Sequence, residues 1–559
     1  MISVERRRPA IIDDVASNLP RLGSAGSRSA TLHQDAAPTP ASGRLGVREL
    51  SRFQVLRIVG TTGTVLIGFG ALGAGALPVV DNPYSSFPGG FLLSRLLQTS
   101  SVMVMVGVGL LVLAWLLMAP FVGVSRRTSR QPTVSMSALK RTFAAWVLPL
   151  IFTAPLFTQD IYSYLAQGSI VARGMDPYSA GPVDLLGTED PLARSVPFIW
   201  SHSPSPYGPV ALWISSAISH ITSDSIILGV FSHRLLSLIG LIAAGWAISR
   251  LATRCGVSPV AAVWLGVLNP LTILHLIGGI HNEALLLSLM LVGLHLGLRG
   301  VDMLDGRNGE KANLARAAAF IVASAALIAC AGMVKVTGFL ALGFVGMNLA
   351  RYFLRAGRHP VVAVTVAVCI QVALLLATIA VVTLCTGIGL GWVTGQGGAA
   401  TIRSWLSLST TIGVISGFFG MLLGLGDHSA MVIRVSQAVG IIVAGSFLIR
   451  LLFATFRGTI HPVGGLGVAT FVLVILFPVV HPWYMLWAIL PLAAWANRSF
   501  FRFAVMAYSA TFSVFVLPRG LSLPPMTVVS IYVGAALVFA AVVAGGWWLL
   551  RRRGVLGLH

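Results

Sequence analysis

Charge is what this sequence has least of. Asp, Glu, Lys and Arg together make up 10% of its 559 residues, whereas soluble globular proteins carry about 25%. Hydrophobic residues make up 56%, and the mean hydropathy is +0.86. Such a chain cannot cover a water-facing surface of its own size, which excludes an autonomous soluble enzyme. Lysine is nearly absent, with only Lys140, Lys311 and Lys335 among 38 basic residues. Cysteine is scarce, and Cys255, Cys330, Cys369 and Cys385 show neither disulfide nor metal-site spacing. The 60 glycines follow no Gly-X-Y period, which excludes collagen. No Walker A sequence, no GxGxxG opening a strand–helix unit and no DxD in an outer loop is present. What remains is a multi-pass membrane protein.

What the chain has in abundance is apolar runs of about 20 residues, each long enough to cross ~30 Å of hydrocarbon as a helix. The expected spans are 55–77, 101–124, 143–157, 226–249, 258–280, 284–298, 317–334, 337–350, 361–386, 430–453, 464–480, 484–497, 503–518 and 526–550. The fold class is therefore an all-α integral membrane bundle of about 13–14 transmembrane helices, because backbone polar groups in lipid must pair within the segment. Residues 1–54 mix Arg, Ser, Ala, Pro and Asp without periodicity and read as a disordered cytoplasmic tail ahead of a transmembrane domain over 55–559.

The formal charge of +21 and pI of 11.2 would point to nucleic acid in a soluble chain. Here the placement of the charge decides. With the tail inside, the inner loops and C-terminus hold 21 basic residues and the outer side holds six: Arg95, Arg173, Arg194, Lys335, Arg403 and Arg519. This is positive-inside asymmetry; it puts both termini in the cytoplasm and removes nucleic acid as the default partner. Two outer segments are long. Residues 158–225 are rich in Pro, Tyr and Trp and end in an amphipathic stretch, Pro209–Ile221, suited to lying in the interface. Residues 386–428 carry Arg403, Trp405 and a second short apolar stretch. Both are expected to roof a cavity on the outer side.

The first constellation with chemistry in it is Thr158-Gln-Asp-Ile-Tyr-Ser-Tyr-Leu-Ala-Gln167, directly after the third expected span. As a helix it places Asp160, Tyr164 and Gln167 on one face. A carboxylate at the membrane boundary, beside groups that bind hydroxyls, suits a general base acting on an attacking hydroxyl. The same spacing suits an acid stabilised by the helix dipole equally well. Tyr162, Tyr164 and Gln167 are candidate sugar or acceptor contacts. In Gly278-Gly-Ile-His-Asn-Glu283, the polar residues His281, Asn282 and Glu283 crowd a tight re-entry, either as a capped turn or as further sugar contacts.

Lys335 stands between two apolar runs on the outer side, against the positive-inside trend, and is the expected ligand of an outer-leaflet phosphate. Arg403, in Thr401-Ile-Arg-Ser-Trp405, is a second candidate, since arginine binds phosphate bidentately. Arg234 and Arg434 lie inside apolar runs and are expected to face the bundle, paired with an outer acid; Arg434 is the third phosphate candidate. His481-Pro-Trp-Tyr484 reads as an aromatic belt or as a pocket rim, with His481, Trp483, Tyr484 and also Trp405 as acceptor contacts. No cluster has the spread of ligands that zinc requires, so neither metal nor cofactor is expected.

In this order, Gln159-Asp-Ile-Tyr-Ser-Tyr164, Gly174-Met-Asp-Pro-Tyr178, Tyr207-Gly-Pro209, Gly279-Ile-His-Asn-Glu283, Val334-Lys335, Arg403-Ser-Trp405 and Pro482-Trp-Tyr484 resemble the GT-C membrane glycosyltransferases that use polyprenyl-phosphate sugars. More narrowly, the chain from about Gly60 onward is similar to the α-(1→6)-mannopyranosyltransferases of lipomannan and lipoarabinomannan synthesis in mycolic-acid actinobacteria. Gly63-Thr-Val-Leu66, Gly70-Ala-Leu-Gly-Ala-Gly75 and His461-Pro-Val-Gly-Gly-Leu-Gly467 carry the narrower likeness. The resemblance implies an inverting plasma-membrane transferase with its site facing away from the cytoplasm. It implies a polyprenyl-phosphate mannose donor, an acceptor mannan on a phosphatidylinositol mannoside, and Asp160 as the base; the expected partners are membrane lipids, and a monomer is expected. A lipid-linked sugar transporter and a protein O-mannosyltransferase remain open alternatives.

Overall fold

The structure is a computed structural model that describes residues 32–33, 47–78, 80–124, 131–306, 313–395, 404 and 406–552. Among the described residues there is no strand, as expected where every backbone polar group must pair within its own segment. The first helices are α1 (Val47–Ala74), α2 (Leu97–Leu117) and α3 (Met136–Ile151). The next connection carries α4 (Asp160–Ala172), three helices of four or five residues, and α5 (Pro209–Thr222). There follow α6 (Ile226–Arg254), α7 (Pro259–Gly266), α8 (Pro270–Gly278), α9 (Glu283–Leu304), α10 (Leu314–Gly332), α11 (Leu340–Arg355) and α12 (Pro360–Thr386). The last are α13 (Leu408–Leu422), α14 (Ser429–Arg457), α15 (Pro462–Leu476), α16 (Leu486–Trp495), α17 (Ser499–Phe515) and α18 (Pro525–Arg552). The chain is an all-α, multi-pass integral membrane protein.

Helix starts are written in the sequence. Ser135, Ser258, Asn269 and Asn313 each accept a backbone N–H of the first turn with their side chains. Proline opens α5, α7, α8, α12 and α15, where its missing N–H is not needed. Gly387 and Gly458 end α12 and α14 at φ +69° and +75°, a left-handed turn that glycine adopts without steric penalty.

All fourteen expected spans meet a helix, but only nine of these helices, among the described residues, are long and apolar enough to cross a membrane alone. A tenth, α7 with α8, is broken by the Asn269-Pro270 cap and bent by 50°. The four runs expected at 143–157, 464–480, 484–497 and 503–518 fold as shorter helices, α3, α15, α16 and α17. A run of apolar residues does not register where the helix stops: the last turn of α3 carries Pro149, and the run before α16 includes the 3₁₀ turn Pro482–Met485. Every residue of α16 is buried, so protein rather than lipid sets its length.

Two further expectations change. The first helix begins at Val47, ahead of residue 55. Within the stretch expected to be disordered, Leu32 O accepts N–H bonds from Asn497 and Arg498, and the His33 ring stacks on Trp495. The rest of residues 1–46 lies outside the described residues. In the segment 386–428, the apolar stretch forms α13, while 396–403 and Trp405 also lie outside them.

The first two helices cross closely. A Cβ added to Gly107 would stand 2.4 Å from Gly63 O, and one added to Gly63 would stand 2.6 Å from Gly107 O. Small residues permit this backbone approach, which supplies dispersion contact in a medium without a hydrophobic driving force. Gly107→Leu should therefore lower stability by about 1–3 kcal/mol through overpacking, read as the unfolding midpoint in detergent. Gly445→Leu is the control, since a Cβ there meets nothing within 4 Å; an equal loss in both variants would refute close α1–α2 packing as the cause.

Candidate active site

Asp160 is the first residue of α4, so the helix dipole favours its charge. The segment before it is held from several sides. Gln159 Nε2 donates to Leu77 O at 3.0 Å, Ala76 N to Pro155 O at 2.8 Å, and Phe157 N to Pro518 O at 2.7 Å. Phe157 itself has φ +69°, an unfavourable region for a non-glycine residue that only over-determined surroundings maintain.

A cavity of about 920 Å³ opens over this point. Asp160, Ser163, Tyr164 and Gln167 line it from α4, so the face read from helical spacing is the face the cavity uses. His281 enters from the turn between α8 and α9, Glu283 from the first turn of α9, Lys335 from the turn before α11, and His481, Trp483 and Tyr484 from the turn before α16. The connections that charge asymmetry assigns to one side of the membrane thus meet in one chamber. Part of its wall, an apolar arm, is formed by Leu340, by Ile441, Ala444 and Leu448 of α14, and by Leu473 and Leu476 of α15.

The Asp160 carboxylate lines this cavity and keeps 27% exposure, with His281 Nδ1 3.6 Å away. Protein walls replace most of its water and push its pKa up to about 6. Thr158, the charge of Lys335 and Trp200 pull it down, and Glu283 adds to the rise. Lys335 donates to Glu283 Oε1 at 2.7 Å, with its Nζ 4.2 Å from the centre of the Tyr484 ring and 5.1 Å from that of Trp487. Burial alone would lower the ammonium, but Glu283 outweighs it and holds Lys335 above its ordinary value. His281 is neutral: burial and the Lys335 charge press its pKa well below the usual imidazole range. Its ring stacks on Trp483 at 4.2 Å, and His481 stacks on the same indole at 4.6 Å. Tyr164 meets Tyr207 edge-on at 5.3 Å, and Gln167 Oε1 accepts from Ser205 at 3.0 Å. Among the described residues no group of three His, Cys, Asp or Glu stands close enough to hold a metal ion.

Several candidates are not brought here. Tyr162 points to the opposite face of α4, fully buried, its hydroxyl donating to Ala76 O at 2.8 Å. Asn282 caps α9 with its backbone carbonyl and does not line the cavity. Arg434 is exposed on α14, because the buried register there passes through Ile433. Arg234 is buried as expected but pairs with no acid among the described residues; it bonds backbone carbonyls instead. Arg403 and Trp405 lie outside the described residues. A residue that sequence reasoning missed is Trp200, which lines the cavity with Asp160 and lowers the pKa of its carboxyl. The aromatic richness of its loop was the only signal.

Residues 57–351 match a family model described as "Alpha-(1->6)-mannopyranosyltransferase, N-terminal domain", and residues 409–544 match the "MptB C-terminal domain". The chain is 60% identical to alpha-(1->6)-mannopyranosyltransferase B of Corynebacterium glutamicum, over 99% of this chain and 95% of that protein. It is 43% identical to a probable alpha-(1->6)-mannopyranosyltransferase of Mycolicibacterium smegmatis, over 89% and 88%. It is 32% identical to alpha-(1->6)-mannopyranosyltransferase A of Mycobacterium tuberculosis, over 80% and 81%. No solved structure matches it. With a membrane bundle, a chamber that joins titratable groups to an apolar arm, and relatives matched over almost its whole length, the chain belongs to the alpha-(1->6)-mannopyranosyltransferases and is a mannosyltransferase enzyme.

Proposed function

We propose that this enzyme moves mannose from a polyprenyl-phosphate donor to the 6-hydroxyl of a mannan on a phosphatidylinositol mannoside-type glycolipid, at the extracytoplasmic face of the plasma membrane. The observation that carries the reading is the lining of the chamber: Asp160, His281, Glu283 and Lys335 share it with an apolar wall of α14 and α15 side chains. A donor with a charged head and an isoprenoid tail has that same division.

In this reading Asp160 takes the proton of the acceptor hydroxyl. The freed oxygen attacks the anomeric carbon opposite the phosphate, the carbon–oxygen bond to phosphate breaks, and the configuration inverts. A carboxyl with a pKa near 6 is a stronger base than an ordinary carboxylate yet stays ionised at neutral pH. Lys335 is the cation for the departing phosphate, kept charged by Glu283. Tyr164, Gln167, Trp200, His481 and Trp483 supply ring faces and hydrogen-bonding groups for sugars. Charge compensation of a monophosphate by lysine needs no metal, and the enzyme is proposed to work without one, as a monomer.

Mannosyl transfer by purified protein in detergent tests the base, because transport has no meaning there. Asp160→Asn should lower kcat by at least about 10²-fold; full activity in that variant would falsify the assignment. An O-mannosyltransferase would instead prefer a Ser/Thr peptide offered beside the glycolipid.

The wild-type kcat/KM should fall about tenfold per pH unit below about 6 and level off above it, since the base works only when ionised. A flat profile from pH 5 to 7 would argue against Asp160.

The apolar arm has its own test. A side chain added at Gly445 meets nothing within 4 Å, so Gly445→Trp should fold and fill the arm. KM should rise for a long polyprenyl donor and stay unchanged for a short-chain analogue. An equal effect on both would remove the arm from donor binding.

A further inference from the structure

Arg234 is 1% exposed, deep in α6, and none of its hydrogen bonds goes to an acid. A buried charge without a counter-ion is costly unless its donors are all met. Here carbonyls meet four of the five N–H donors. Nε donates to Ile277 O at 3.1 Å, Nη1 to Ile151 O at 3.0 Å and Thr153 O at 2.5 Å, and Nη2 to Ala154 O at 3.4 Å. Ile151 is the last residue of α3, and Ile277 lies in the last turn of α8. The guanidinium therefore sits on two helix C-termini at once, where orphan carbonyls and both dipoles favour a cation.

Those two ends lead directly into the site. From Ala154 the chain runs through Phe157, at φ +69°, to Asp160. From Ile277 it runs through Ile280, at φ +57°, to His281. A β-branched residue with positive φ is a backbone outlier that persists only under constraint. The two segments are also bonded to one another, Leu156 N donating to Gly278 O at 3.1 Å. The Arg234 side chain bonds both segments upstream of these strained turns.

We propose that Arg234 is a positioning residue of the transfer reaction: by clamping the ends of α3 and α8 together, it sets the spacing of Asp160 and His281, which stand 3.6 Å apart. Arg234 does not line the cavity. The proposal rests on Asp160 being the base.

The test compares Arg234→Gln, Arg234→Lys and Asp160→Asn in detergent, with rates normalised to the folded fraction. Arg234→Gln should lower kcat by about 10²-fold, the effect of roughly 1 Å of misplacement, with the donor KM changed less than about threefold. Its acid limb should move below the wild-type position near pH 6, because slack turns admit water to Asp160. Arg234→Lys keeps the charge at both helix ends but loses the planar fork, and should recover part of kcat and of the limb. If Arg234→Gln does not fold, the lysine variant decides by the same two readouts. Wild-type kcat with an unmoved limb overturns the proposal, and so does failure of both variants to fold, which would make the arginine purely structural. An active Asp160→Asn overturns the base reading instead, whatever the Arg234 variants do.

Discussion

Desolvation of one carboxylate is the constraint around which this end of the bundle is arranged. An acid left in water has no reason to be a better base than any other, and an acid wholly buried takes up a proton and stops being one. Asp160 is kept between these limits. Protein walls raise its pKa, while the start of α4, Thr158 and Trp200 stabilise the ionised form. The neighbouring cation is itself paired: Lys335 gives one of its three donors to Glu283 and lies over aromatic faces. Removing any one of these groups alters the charge balance of the others, so they behave as a unit.

Holding such a group at a fixed place calls for irregular backbone, and irregular backbone at membrane depth is tolerated only where protein covers it. The bundle meets this by ending helices early. Helices α3 and α8 both stop short of a full crossing, and Arg234 bonds a carbonyl in the last turn of each. The left-handed turns at Phe157 and Ile280 follow within a few residues. Each costs on the order of 1–3 kcal/mol in isolation, and the surrounding hydrogen bonds and packing must offset that.

The fold was legible from sequence to the extent that hydrophobicity reports it. Long runs became long helices, whereas the ends of α3, α15 and α16 depend on local turns that a hydropathy pattern does not encode. Two kinds of signal led to residues that line the cavity. Helical spacing put Asp160, Tyr164 and Gln167 on one face, and the rarity of lysine singled out Lys335. The same spacing places Tyr162 two positions on, hence on the opposite face, where it bonds a carbonyl. Partners distant in the chain were out of reach: nothing near Trp200 in sequence marks it as a neighbour of Asp160. Sequence also marked Arg234 as a charge in need of a partner but could not say that the partners would be carbonyls, because carbonyls belong to every residue.

Lys335 stands where the two halves of the proposed reaction meet, and its surroundings fit that position. On its polar side is Glu283; on its other side are Tyr484 and Trp487, which belong with the apolar wall. An ammonium so placed has donors left for phosphate oxygens without giving up its carboxylate, since Glu283 engages only one. The ring faces let the cation sit at the edge of hydrocarbon without full loss of stabilisation. A phosphate that joined a sugar to an isoprenoid would lie at this boundary, with the sugar toward Asp160 and the tail toward α14 and α15. Bond cleavage would leave its charge beside Lys335 and its lipid in the arm, ready to withdraw sideways into the membrane, while the acceptor stayed on the polar side for the next addition.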